Sequence, residues 1–165
     1  MNSRTLTTHD LEAIRTLWNE EMPHTFFLRK DLFKSQIATS QDMDWSSSFV
    51  AFEGQKLVGS ILVKAWKRNV LDAYQKTAWI TFIHVAKSYQ HQGIGRTLIE
   101  HAIENLRTQG VHTIHLGKSM NNFFCGVPET FEANRFFETI GFVENDRPVD
   151  MHKHITNHSM IPLRH

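Results

Sequence analysis

The stretch that decides the fold is Thr77-Ala78-Trp79-Ile80-Thr81-Phe82-Ile83-His84-Val85, followed after a short polar passage by Gln90-His91-Gln92-Gly93-Ile94-Gly95-Arg96. Its first part is rich in β-branched and aromatic residues and reads as a strand over Thr77 to Val85. The period then changes, because Leu98, Ile99, Ala102, Ile103 and Leu106 recur at helical spacing until Gly110 supplies a stop. Between strand and helix, Gly93 and Gly95 let the backbone come close to a ligand. The first N–H groups of the helix have no partner within it and lie at the positive end of its dipole. A turn in this setting takes phosphate or pyrophosphate. A glycine pair outside such a setting is explained equally well by tight packing.

Downstream, Thr113 to Leu116 is a second strand. A strand-helix-strand unit is parallel and right-handed, so the Thr77 and Thr113 strands are expected side by side, with a ligand crevice at their C-terminal ends. Upstream, after a short stretch at Arg4 to Leu6, Thr8 or Asp10 is placed to cap a helix carrying Leu11, Ile14, Leu17 and Trp18 on one side, and Pro23 ends it. Leu28, Leu32, Phe33 and Ile37 predict a second short helix. Ser46-Ser47-Ser48 leads into a strand at Phe49 to Phe52, Glu53-Gly54-Gln55 forms a hairpin turn, and Leu57 to Trp66 is the returning strand. Beyond a loop holding Gly117, Gly126 and Pro128, Glu129 to Ile140 reads as a helix closed by Gly141. Phe142 enters another strand, and Val149 to Ile155 is the last. The order defines an α/β (α+β) protein with a mixed sheet.

At 165 residues and 41% hydrophobic composition, with no repeat or linker-like tract, the chain reads as one soluble domain over residues 1–165. Eighteen Lys and Arg against seventeen Asp and Glu leave a net charge of +1, which does not favour bulk nucleic-acid binding. A single cysteine, Cys125, excludes an internal disulfide and a multi-thiolate zinc site and fits a reducing compartment, so cytoplasm is the expectation. The first residues lack the apolar core of a signal peptide, and no apolar run approaches the roughly 18 residues that span a bilayer. Asn157-His158-Ser159 is read as a chance glycosylation triplet. The unusual feature is 11 histidines. His112 and His115, and His152 and His154, are paired by spacing, but without a matched carboxylate or thiolate set they are read as packed or solvated rather than as metal ligands.

Two nucleotide-binding patterns are set aside. A dinucleotide turn needs a third glycine where Leu98 stands, and the P-loop-like Gly117-Lys118-Ser119 has His112 in place of the earlier glycine. Instead, Ile83-His84-Val85 with Gln90-x-x-Gly93-x-Gly95 resembles the acetyl-CoA motif of GNAT superfamily N-acetyltransferases. Ala133-x-x-Phe136-Phe137-x-x-x-Gly141-Phe142 resembles that family's second motif. Leu116-Gly117 followed by Phe123-Phe124-x-Gly126-Val127-Pro128 is similar to a loop of a bacterial subset.

The resemblance implies a mostly antiparallel central sheet flanked by helices and splayed between its fourth and fifth strands, with acetyl-CoA in the splay. It implies that pantetheine bonds Ile83 and Val85 like an added strand. The pyrophosphate would lie on backbone N–H groups from His91 to Arg96, covering Gln92, Gly93, Ile94 and Gly95, with Gln90 at the turn and Lys87 and Arg96 within reach of phosphates. Thr130 and Phe137 stand at cofactor positions where the family often has Asn and Tyr, and Phe137 has no proton to give a leaving thiolate. His84 and Cys125 are the titratable candidates for catalysis; a packed His84 and a buried inert Cys125 remain alternatives. Trp79 and Thr81, from the strand that often supplies the base in relatives, are not bases. The resemblance also assigns Glu20 to Phe27 to the acceptor pocket, where carboxylates beside aromatic rings suit a cationic amine, although a solvated helix end and core phenylalanines explain the same residues. Phe123 and Phe124 carry the same ambiguity. The implied activity is acetyl transfer from acetyl-CoA to a primary amine of a small molecule or peptide. Alternatives are a CoA-binding module with little turnover and a protein lysine or N-terminal acetyltransferase. No metal, membrane or nucleic-acid partner is expected, and monomer and homodimer both stay open.

Overall fold

The computed structural model describes residues 1–66, 74–117, 122–124, 126–127 and 133–144. Among these residues the sheet has five strands in the order β1-β2-β3-β4-β5, with β1 Asn2–Thr5, β2 Phe49–Glu53, β3 Lys56–Ala65, β4 Thr77–Val85 and β5 Thr113–Leu116. Neighbours are antiparallel except β4 and β5, which run parallel as the strand-helix-strand pattern requires. The helices are α1 Leu11–Glu21, α2 Lys30–Phe33, α3 Ile94–Thr108 and α4 Ala133–Thr139. A wider-wound turn continues α2 through Ala38. Of the expected elements, Val149 to Ile155, residues 129–132 of the last helix, and the histidines His152 and His154 lie outside the described residues, as do Pro128, Lys118-Ser119 and the triplet at Asn157.

The sheet separates two apolar layers. On one face, Val58, Ile61, Val63 and Ile80 pack with Ile94, Leu98, Ala102 and Leu106 of α3 and with Phe137 of α4. On the other, Leu62 and Phe82 pack with Ile14 and Trp18 of α1 and with Phe33 and Ile37. Burial on both faces explains why β4 reads as a nearly continuous apolar run. Gly59 is where β3 passes under α3: a Cβ there would lie 3.2 Å from both Ile94 Cγ2 and Leu98 Cδ1.

One local expectation is corrected. Neither Thr8 nor Asp10 caps α1 with its side chain. A short turn at Thr8–Asp10 precedes the helix, and the Asp10 carboxylate turns back to accept from Thr7 N–H and Thr7 Oγ1, each at 2.8 Å, and from Arg4 at 2.7 and 2.8 Å. Residues 142–144 are irregular, and the strand expected after Phe142 otherwise lies outside the described residues. The Phe142 N–H is taken by the carbonyl of Phe137 at 3.0 Å while Gly141, at φ +93°, bonds Glu138, which is the closure of a helix end.

The Asp10 cluster fixes the entry to α1 and so the placement of Trp18 and Glu21. Hydrogen bonding from Arg4 holds the Asp10 carboxyl down at about 2, despite partial burial that opposes it. Asp10→Asn is expected to cost about 1–2 kcal/mol at neutral pH, a modest value because Arg4 remains half-exposed. The wild-type contribution is complete above the ordinary value of 3.8 and disappears as pH falls towards 2. Urea unfolding of both proteins at neutral and strongly acidic pH should therefore show a gap that closes in acid.

Candidate active site

β5 meets β4 only from Thr77 opposite Thr113 to Ile80 opposite Leu116, with a last bond from Gly117 N–H to the Ile80 carbonyl at 3.3 Å. Thr81 to Val85 continue with no strand on that side among the described residues. A cavity of about 750 Å³ occupies this opening. Thr81 is the extra residue of a bulge opposite Leu62, so the alternation of β4 shifts by one as the strands part. Ala86 N–H bonds the Val58 carbonyl on β3. Counting back by two, His84 and Phe82 also turn their backbone groups to β3, and Ile83 and Val85 turn theirs to the cavity.

Gln90, His91, Gly93, Ile94, Gly95 and Arg96 line the same cavity, as do Ile83 and Val85. Gln90 acts through its side chain, with Nε2 donating to the Val85 carbonyl at 3.0 Å and tying the turn to the strand end. Gln92 is off the cavity wall and donates to the Ser88 carbonyl at 3.3 Å. His91 has φ +60° and Gly93 φ +82°, a pair of left-handed residues that turns the chain abruptly into α3. The N–H groups at the start of α3 then lack intrahelical acceptors. Gly95 serves packing: a Cβ there would stand 3.3 Å from Phe136 Cζ and 3.7 Å from Val85 Cγ2. Exposed Lys87 and Arg96 add positive charge to this wall. Phe137 also reaches the wall from α4 and is otherwise buried.

On the α1 side of β4 the structure joins residues far apart in sequence. His84 Nε2 lies 2.9 Å from Glu21 Oε2, and both Glu21 oxygens accept from the Lys87 N–H, at 3.0 and 3.2 Å. His84 is 5% exposed, and burial lowers its pKa from 6.5; the Glu21 carboxylate opposes that shift and nearby Lys87 adds to it. Neutral His84 facing an ionised carboxylate must donate from Nε2, which leaves the Nδ1 lone pair free. Nδ1 makes no hydrogen bond to any described residue, and the ring lines the cavity. Trp18 packs edge-on to His84 at 5.3 Å between ring centres and contacts Phe82 at 4.9 Å and Phe124 at 5.4 Å.

Glu20 and Glu21 are neighbours in sequence, and no local pattern connects either to His84. The helical period separates them: Glu21 lies three residues past buried Trp18 on the same face, whereas Glu20 points to solvent. Phe123 and Phe124 divide likewise. Phe123 stacks on Phe33 at 5.4 Å, while Phe124 lines the cavity. Trp79, stacked against His115, lies away from the cavity, and Thr81 lines it. Cys125 and Thr130 lie outside the described residues.

The chain with this open parallel pair and tight turn belongs to the acetyltransferase (GNAT) family, whose model matches residues 11–142. Among solved structures, a GCN5-related glucosamine N-acetyltransferase region of a fungal multi-domain GH3 β-N-acetylglucosaminidase is 27% identical with a TM-score of 0.76. That match covers 88% of this chain and 17% of the fungal one. The Escherichia coli ribosomal-protein-S18-alanine N-acetyltransferase is 23% identical at a TM-score of 0.63, over 88% of this chain and 79% of its own. An aminoglycoside N-acetyltransferase in complex with CoA is 19% identical at a TM-score of 0.61, over 93% of this chain and 100% of its own. No curated protein sequence matches the chain significantly.

Proposed function

We propose that this protein transfers the acetyl group of acetyl-CoA to a primary amine by direct attack. One observation carries the reading: His84, held at Nε2 by Glu21, and the turn that opens α3 line a single cavity beside the edge of β4 that β5 leaves unpaired among the described residues. The outward backbone groups of Ile83 and Val85 receive pantetheine as an added strand, and the N–H groups from His91 to Arg96 receive the pyrophosphate. Bound there, the thioester supplies an activated acyl carbon.

His84 Nδ1 takes the proton that the attacking amine nitrogen loses as its bond to the acyl carbon forms, and Glu21 stabilises the resulting imidazolium through Nε2–H. An outward-facing N–H of β4 stabilises the tetrahedral oxyanion. The carbon–sulfur bond then breaks. Phe137 offers no proton, so the CoA thiolate leaves as the anion, as suits a thiol with a pKa near the ~8.5 of free cysteine, and takes its proton from the His84 imidazolium or from solvent.

Titration calorimetry of acetyl-CoA, followed by an assay for free thiol with a panel of primary amines, tests both halves. Saturable binding and amine-dependent CoA release above the hydrolysis background are expected. Folded protein that fails to bind acetyl-CoA would refute the whole reading, and binding without release from any amine would leave a CoA-binding module.

A further inference from the structure

Resting on that transferase reading, we propose that the acceptor is a primary amine carried on a flat, apolar body, and not a polycation. The observations concern the cavity wall around Trp18, Phe82 and Phe124, next to His84. Trp18 and Phe82 are each 4% exposed, so that part of the wall is fixed by the core behind it. The Trp18 indole N–H is spent on the Phe26 carbonyl at 2.7 Å, which removes the one polar group of that ring from the cavity. Phe124, half-buried, is held against Trp18 and lies 5.9 Å from Phe26 in an edge-to-face contact. It is thus the ring with surface left to offer, and Met22 and Pro23 continue the apolar wall.

Charge points the same way. Among the described residues lining the cavity, Glu21 is the one acidic side chain, against Lys87 and Arg96. Glu21 is already engaged by His84 and the Lys87 N–H, so the described wall holds no spare carboxylate to meet further ammonium groups. A polyamine or aminoglycoside would bring several ammonium groups to a wall with a single counter-charge and would desolvate the rest against aromatic carbon. A single amine that gives its proton to His84, with a planar body against Phe124, brings no second charge to be paired and removes apolar surface from water on both partners.

The test compares kcat/KM for phenethylamine, ethylamine, spermidine and neamine in the wild type and in Phe124→Ala. Phenethylamine is expected to exceed each of the other three by tenfold or more, on the order of what burying a ring in such a pocket supplies. In Phe124→Ala the phenethylamine-to-ethylamine ratio should fall at least severalfold. Spermidine or neamine turned over as fast as phenethylamine, or a ratio unmoved by Phe124→Ala, would overturn this inference while leaving acetyl transfer intact. Absence of CoA release from all four amines, with acetyl-CoA still bound, would overturn the transferase reading itself.

Discussion

Replacing His84 with alanine is expected to lower kcat by about 10²–10⁴-fold, the usual yield of a positioned general base, with acetyl-CoA affinity close to wild type. The two effects separate because the backbone of residue 84 faces β3 and its ring faces the α1 side, whereas the groups assigned to pantetheine belong to Ile83 and Val85. The pH profile gives the sharper signature. Burial holds the His84 pKa below 6.5, so the base is neutral and competent above that lowered value and is lost as pH falls through it. The acid limb of kcat/KM in the wild type should lie below pH 6.5 and should vanish in His84→Ala. Glu21→Gln supplies the control for role. The carboxylate raises the His84 pKa against burial, so its neutral replacement should move the limb further to acid and lower kcat, because imidazolium is no longer stabilised. A merely structural Glu21 would change stability without moving the limb. A wild-type acid limb retained in His84→Ala would assign the proton transfer elsewhere.

How much of this was legible in the sequence depends on the range of the interaction. Local patterns carried well: the period change at Gly93, the stop at Gly110 and the parallel pairing around α3 all follow from neighbours a few residues apart, and each is found. The start of α1 misled because Asp10 has several acceptable donors, and the choice of Thr7 and Arg4 over a helix cap is made by β1 folding back beside the turn. The Glu21 and His84 contact was not legible, since it joins residues 63 positions apart and depends on where α1 ends over β4. The position of Glu21 on the Trp18 face was in the sequence; its partner was not.

Gly93→Val is expected to weaken acetyl-CoA binding by about 10–100-fold, with the fold retained. The cause is conformational. At φ +82° a β-branched residue is strained, and relief requires the turn to rotate, which re-aims the N–H groups that open α3. No heavy atom lies within 4 Å of the position a Cβ would take, so the strain is not aggravated by a clash, and a side chain at this lining position competes for the space where the phosphates are proposed to sit. Gly54 separates lost stability from lost binding. It has φ +59° and equally open space, but it lies in the hairpin between β2 and β3, away from the cavity. Gly54→Val should therefore pay a similar strain cost in thermal stability and bind acetyl-CoA like the wild type. Unchanged affinity in Gly93→Val, or an equal loss in both variants, would show that the turn from His91 to Arg96 does not hold the cofactor's phosphates.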